Sequence, residues 1–184
     1  MRKFFYLFIF SFSLLTSEIN AKDIMILKLD YGEVEIELYS DKAPNHVKRF
    51  RELADKGLYD GVVFHRVIDG FMAQTGDVKF GNTKSPSFDL SLAGTGGSDL
   101  PNLKAEFTDI AHTRGILSAA RSADPDSANS QFFICFESAP HLDRQYSAFG
   151  KVIKGMEYID KIKKGDPNSG AVSNPDKIVS IRSK

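Results

Sequence analysis

The six residues Gln131-Phe132-Phe133-Ile134-Cys135-Phe136 constrain the fold of this chain more than any other stretch. Their aromatic and β-branched content reads as a strand, and a strand points successive side chains to opposite faces. Gln131, Phe133 and Cys135 then share one face, while Phe132, Ile134 and Phe136 share the other. A strand apolar on both faces must be covered on both. A barrel interior has to lie on one side and something else has to pack on the other.

The rest of the chain supplies partners for that strand. Residues 24–29 are a short apolar run, and Asp30-Tyr31-Gly32 reads as a turn. Glu33-Val34-Glu35-Ile36-Glu37-Leu38 alternates acid with apolar, which predicts a hairpin whose second strand is half-buried. Pro44 opens a helical stretch with Val47, Phe50, Leu53 and Ala54 at helical spacing and Gly57 as its stop. His46 rides on this helix and is expected at the surface rather than as a ligand. Residues 61–68 and 115–120 read as further strands, and residues 177–182 as a closing one. Met156, Ile159 and Ile162, with Gly165 beyond, predict a second helix. Many short strands with two widely separated helices argue for one mainly β antiparallel barrel rather than βαβ units.

A length of 184 residues suits a single domain, and no internal repeat interrupts it. The 24 basic and 24 acidic residues cancel, so no nucleic-acid partner and no membrane surface is expected. The first 21 residues stand apart. Met1-Arg2-Lys3 is basic, residues 4–15 are apolar except for Ser11 and Ser13, and residues 17–21 are polar and end in Ala21. That is the layout of a secretory signal peptide, with cleavage expected after Ala21. The apolar run falls short of the roughly 20 residues that span a bilayer, so no stable membrane insertion is expected once it is removed. The expected organisation is a signal peptide over residues 1–21 and one domain over residues 22–184, monomeric and periplasmic.

Several kinds of chemistry lack their parts. Cys135 is the single cysteine, and its setting Phe133-Ile134-Cys135-Phe136 is that of a buried small hydrophobe, not a nucleophile. The four histidines, at positions 46, 65, 112 and 141, have no metal-ligand spacing, so neither metal nor cofactor is expected. Gly94-Thr95-Gly96-Gly97 has no following Lys-Ser/Thr and reads as a Gly-rich loop rather than a phosphate cradle. No Gly-x-Ser-x-Gly elbow occurs, and no carboxylate pair for acid–base hydrolysis.

One cation is conspicuous. Phe64-His65-Arg66-Val67-Ile68 is followed by Phe71-Met72-Ala73-Gln74-Thr75-Gly76, with Asp77 the first carboxylate after Asp69. A guanidinium keeps its charge at any working pH and is costly to bury unpaired. Among Phe, Met and Val it is best placed at the wall of an apolar pocket, aimed at a neutral acceptor.

This run resembles the signature of the cyclophilins, peptidyl-prolyl cis-trans isomerases, in order and spacing. Gly115-Ile116-Leu117-Ser118-Ala119-Ala120-Arg121, Ser130-Gln131-Phe132-Phe133-Ile134-Cys135, and Leu142-Asp143 with Phe149-Gly150-Lys151-Val152 resemble three further blocks of that family. The resemblance extends from about residue 24 to residue 182. It implies a closed antiparallel barrel of about eight strands with an α-helix capping each end and the substrate groove on the outer wall.

The resemblance also implies roles. Arg66 is the catalytic donor, Phe71 and Gln74 belong with it, and Gln74 either bonds the substrate carbonyl or orients Arg66. Phe71, Met72, Phe133 and Leu142 clasp the proline ring. Ala120 and the backbone of Arg121 line the groove, and Gln131 supports its wall. His141 stands where many eukaryotic members carry Trp, and Tyr146 where they carry His, which points to a bacterial-type member with weaker binding of cyclosporin. The implied partners are proline-containing polypeptides, unfolded or partly folded exported proteins among them. A chaperone that binds proline segments without turnover is the alternative. Residues 78–93 are longer than the usual connection and read either as a rim that contacts larger substrates or, as the preferred reading, as a tolerated surface insertion.

Overall fold

The computed structural model describes residues 23–184, so the expected leader at 1–21 lies outside the described residues. The eight strands are β1 (Ile24–Leu29), β2 (Gly32–Leu38), β3 (Arg66–Ile68), β4 (Met72–Thr75), β5 (Ile116–Ala119), β6 (Phe132–Cys135), β7 (Ala148–Lys154) and β8 (Ser180–Ser183). Helix α1 spans Pro44–Asp55 and helix α2 Met156–Ile159. One sheet contains every strand, in the order β3-β4-β6-β5-β7-β2-β1-β8, and all its pairings are antiparallel.

The sheet is a curled half-barrel, not the closed barrel expected. Its end strands β3 and β8 are not joined by a ladder. The reason lies in residues 61–65, expected as part of a long strand. Their N–H groups go to different irregular segments: Val63 donates to the Gly81 carbonyl and Phe64 to that of Asp176. Only isolated bridges form there, Val62 with Asn82 and Val63 with Lys177, followed by Arg66 with Ala171. The strand proper shrinks to Arg66–Ile68. Likewise the closing strand starts at Ser180, with Lys177 held by its single bridge.

Burial follows the predicted alternation on β6. Phe132, Ile134 and Phe136 join the main core with Met25, Leu27, Val34 and Ile36. From α1, Val47, Phe50, Leu53 and Ala54 close one side of that core. Phe50, Tyr59, Phe132 and Phe149 interlock there, with the Phe50 and Phe132 rings edge to face at 5.1 Å. Phe133 and Cys135 point the other way, into a second apolar cluster with Met72, Ile116, Leu142 and Ala148. That outer cluster carries the site.

Two helical expectations need correction. His46 is buried, not on the surface, with 3% of its area exposed. Its Nδ1 lies 2.6 Å from Oε2 of Glu106, which also accepts from the backbone N–H groups of Asn45 and His46. Ala43 offers no side-chain cap, so a carboxylate from a distant loop serves the free N–H groups of α1 and complements its dipole. Burial disfavours charge on Glu106, but the bonds from His46 and Asn45 outweigh it and hold its pKa below the usual value. Helix α2 is a single turn; Ile162 lies beyond it, buried, its N–H bonded three residues back to Ile159.

Candidate active site

Register brings most of the expected site residues together. Across β3, β4 and β6, Arg66 is opposite Gln74 and Gln74 opposite Phe133. One pleat further along, Met72 is opposite Cys135. Directly opposed residues share a face of the sheet, so a cation, an amide and a phenyl ring stand in a row on the outer wall. They line a cavity of ≈ 310 Å³, completed by Phe71, Met72, Ala120, Arg121, His141, Leu142 and Tyr146. Of the residues expected at the site, Gln131 alone stands outside it. Gln131 lines an adjoining cavity of ≈ 250 Å³ that shares Gln74, Ala120 and Arg121 and adds Gly94, Gly96, Ser122 and Asn129.

The guanidinium of Arg66 is held by neutral groups. Its Nε donates to the Ser169 carbonyl at 3.2 Å, and Nη1 donates to Oε1 of Gln74 at 3.4 Å. No ion pair joins it to any of the described residues. Of the five N–H bonds in its rigid fork these contacts use two, on a side chain that lines the cavity.

Gln74 has its own support. Its Nε2 donates to Oε1 of Gln131 at 3.0 Å, and Gln131 Nε2 donates to the carbonyls of Gly94 and Gly96 at 2.9 and 2.7 Å. Each amide is thus turned one way: NH2 toward the loop, oxygen toward the arginine.

The apolar half is built from rings. Phe71 and His141 lie 5.4 Å apart, and Phe133 meets Tyr146 edge to face at 5.8 Å. Arg121 places its guanidinium 4.4 Å over the Tyr146 ring while donating to the carbonyls of Ser122 and Gln145 at 2.9 Å. Expected to act through its backbone, Arg121 also ties two walls of the groove with its side chain.

Behind Phe133 lies an arrangement the sequence did not announce. His112 bridges Asp143 Oδ1 and Ser118 Oγ, each at 3.0 Å, and its ring stacks on Phe133. The order is that of a hydrolytic triad, but Ser118 is wholly buried and cannot reach a substrate. Burial holds the His112 pKa down against the pull of Asp143, and burial likewise pushes the Cys135 thiol up to about 12. Cys135 therefore stays a thiol at neutral pH, and His112 is buried with both ring nitrogens engaged by Asp143 and Ser118, so both are structural.

The acceptors around Arg66 and Gln131 escaped sequence reasoning, because they are backbone carbonyls of Ser169, Gly94 and Gly96. Two of them belong to the Gly-rich stretch at 94–97, which reads in sequence only as a loop.

Comparison with known proteins gives a consistent picture. The family model of cyclophilin type peptidyl-prolyl cis-trans isomerases matches residues 24–183. A probable peptidyl-prolyl cis-trans isomerase of Brucella suis is 53% identical over 164 residues, covering 89% of this chain and 83% of its own. A peptidyl-prolyl cis-trans isomerase of Acinetobacter baylyi is 35% identical over 181 residues, covering 93% and 90%. Among solved structures, the cyclophilin type isomerase of Cryptosporidium parvum in the presence of the dipeptide Ala-Pro superposes with a TM-score of 0.73 at 28% identity. It covers 88% of this chain and 98% of its own.

Proposed function

The chain belongs to the cyclophilin-type peptidyl-prolyl cis-trans isomerases, and from there we propose that Arg66 speeds X-Pro rotation by hydrogen-bonding the imide nitrogen. The observation that carries this reading is the setting of the guanidinium. It has neutral acceptors behind it, the apolar side chains of Phe71, Met72, Phe133 and Leu142 in the cavity it lines, and no carboxylate partner among the described residues.

Amide resonance keeps the X-Pro bond planar behind a barrier of about 18–20 kcal/mol. Halfway through the twist, the nitrogen recovers its lone pair and the carbonyl loses part of its dipole. A donor fixed in direction gains strength as that lone pair appears, so it favours the twisted state over either planar one. Phe71, Met72, Phe133 and Leu142 give the proline ring an apolar seat, where the more polar planar form is poorly solvated. Gln74 has Oε1 committed to Arg66 and one N–H to Gln131, which favours orientation of Arg66 as its task.

The test is a protease-coupled assay on a short X-Pro peptide. Arg66→Ala should lower kcat/KM by about a hundredfold or more, the scale for removing one preorganised donor, with an unchanged near-UV spectrum. Turnover near wild type would overturn the role. The basic, apolar and polar succession of residues 1–21 supports export, with action in the periplasm as a monomer on unfolded or partly folded proteins. Fractionation that recovers the mature chain with cytoplasmic markers would overturn that compartment.

A further inference from the structure

Asp77 lies outside the cavity, is fully buried and pairs with no cation among the described residues. Its carboxylate is satisfied by backbone alone. Oδ1 accepts from the N–H groups of Lys79 and Phe80 at 3.0 and 2.9 Å, and Oδ2 from those of Gly94 and Gly96 at 2.8 and 2.9 Å. A buried charge needs such a full set of donors. Both ends of the segment between residues 78 and 96 are therefore fastened to one side chain. The approach is close: a Cβ on Gly96 would come within 2.6 Å of Oδ1, and one on Gly94, whose φ is +99°, within 2.9 Å of the His65 ring. Glycine at both positions lets the loop close.

The same two glycines that donate to Asp77 turn their carbonyls to Gln131. Two acceptors facing one amide admit only its NH2 group. That sends Gln131 Oε1 toward Gln74, fixes the NH2 of Gln74 on it, and leaves Gln74 Oε1 for Arg66. Reversing either amide would set oxygen against oxygen, or NH2 against a cation.

We propose that Asp77 is a positioning residue for Arg66, acting through the Gly94 and Gly96 carbonyls and the amides of Gln131 and Gln74. The segment read as a tolerated insertion returns the chain to Asp77, and its two ends are part of the machinery. The inference rests on the reading that Arg66 acts at the imide nitrogen. Without the carboxylate the carbonyls loosen, the amides turn, and the guanidinium loses its direction, while the apolar seat for proline stays intact.

The experiment compares Asp77→Asn, Gln131→Glu and the double variant in the X-Pro peptide assay, with kcat and KM separated, and follows the side-chain amides of Gln74 and Gln131 by NMR. Asn cannot accept at both positions, and Glu cannot donate to the Gly94 and Gly96 carbonyls. Each should lower kcat roughly tenfold or more, the usual scale for supporting residues, with KM within about twofold. The double variant should be no worse than the worse single one. In an Arg66→Ala background Asp77→Asn should have no further effect, and in Asp77→Asn the Gln74 amide resonances should shift and broaden. Wild-type kcat in both single variants, multiplying effects in the double, or unmoved amide resonances would overturn the proposal. If Asp77→Asn fails to fold, Gln131→Glu alone decides, and wild-type kcat there overturns it. An active Arg66→Ala protein would instead sink the reading of Arg66, and the resonances would still report whether Asp77 sets the amides.

Discussion

At the scale of single residues, the guanidinium of Arg66 has a fixed direction as well as a charge. Arg66 spends one N–H on Ser169 and one on Gln74, so its remaining donors point along a fixed plane. A lysine at this position keeps the charge but has no fork to be fixed. Arg66→Lys is therefore expected to lose most of the activity that Arg66→Ala loses, in the same peptide assay; near-wild-type turnover would show that charge alone suffices. The side chains around this group were legible in the sequence because residue type and order carried them: Arg66, Phe71, Gln74 and Phe133 fall on one outer wall. What was not legible is which way the amides of Gln74 and Gln131 face. That is dictated by main-chain oxygens, and any residue type carries one. His46 was misjudged for a related reason: its helix position is local information, whereas its partner Glu106 arrives from sixty residues away.

Among the elements, the hairpin of β1 and β2, helix α1 and the two-faced strand β6 follow from periodicity alone, and the structure places them as read. Closure of the sheet does not follow from periodicity. It depends on whether residues 61–65 meet a regular neighbour, and they meet two irregular ones. Helix α1 shows how an element can lean on chain far away. Glu106 supplies the acceptor that Ala43 lacks, accepting from Asn45 and His46. Glu106→Ala should destabilise the fold by about 1–3 kcal/mol, the scale for a lost cap and a buried donor left unsatisfied. Urea unfolding checks this through its midpoint at constant slope. An unmoved midpoint would mean that the helix start is served by water.

For the molecule as a whole, acid should act in two stages. Burial lowers the pKa of His65 and of His112, so the folded state holds fewer protons on them than the unfolded chain, whose histidines titrate near 6.5. Stability from these groups is full above about pH 6.5 and falls as the pH drops below it. A second loss is expected below about pH 4. There Asp60, bonded to Arg182, Asp143, bonded to His112, and Glu106, bonded to His46 despite its burial, must take up protons they resist. Thermal melts at pH 7.5, 5.5 and 3.5 check the order, and a melting point that does not drop between the first two would refute the histidine stage. The strand from Phe132 to Cys135 has a last consequence. It is foundation and tool surface in one piece, so an engineer wishing to alter substrate preference has little latitude at Phe133. Swapping that ring also disturbs the slab that keeps the protein folded, and the promising places to recut are the loops around the rim, near Ser122 and Asn129.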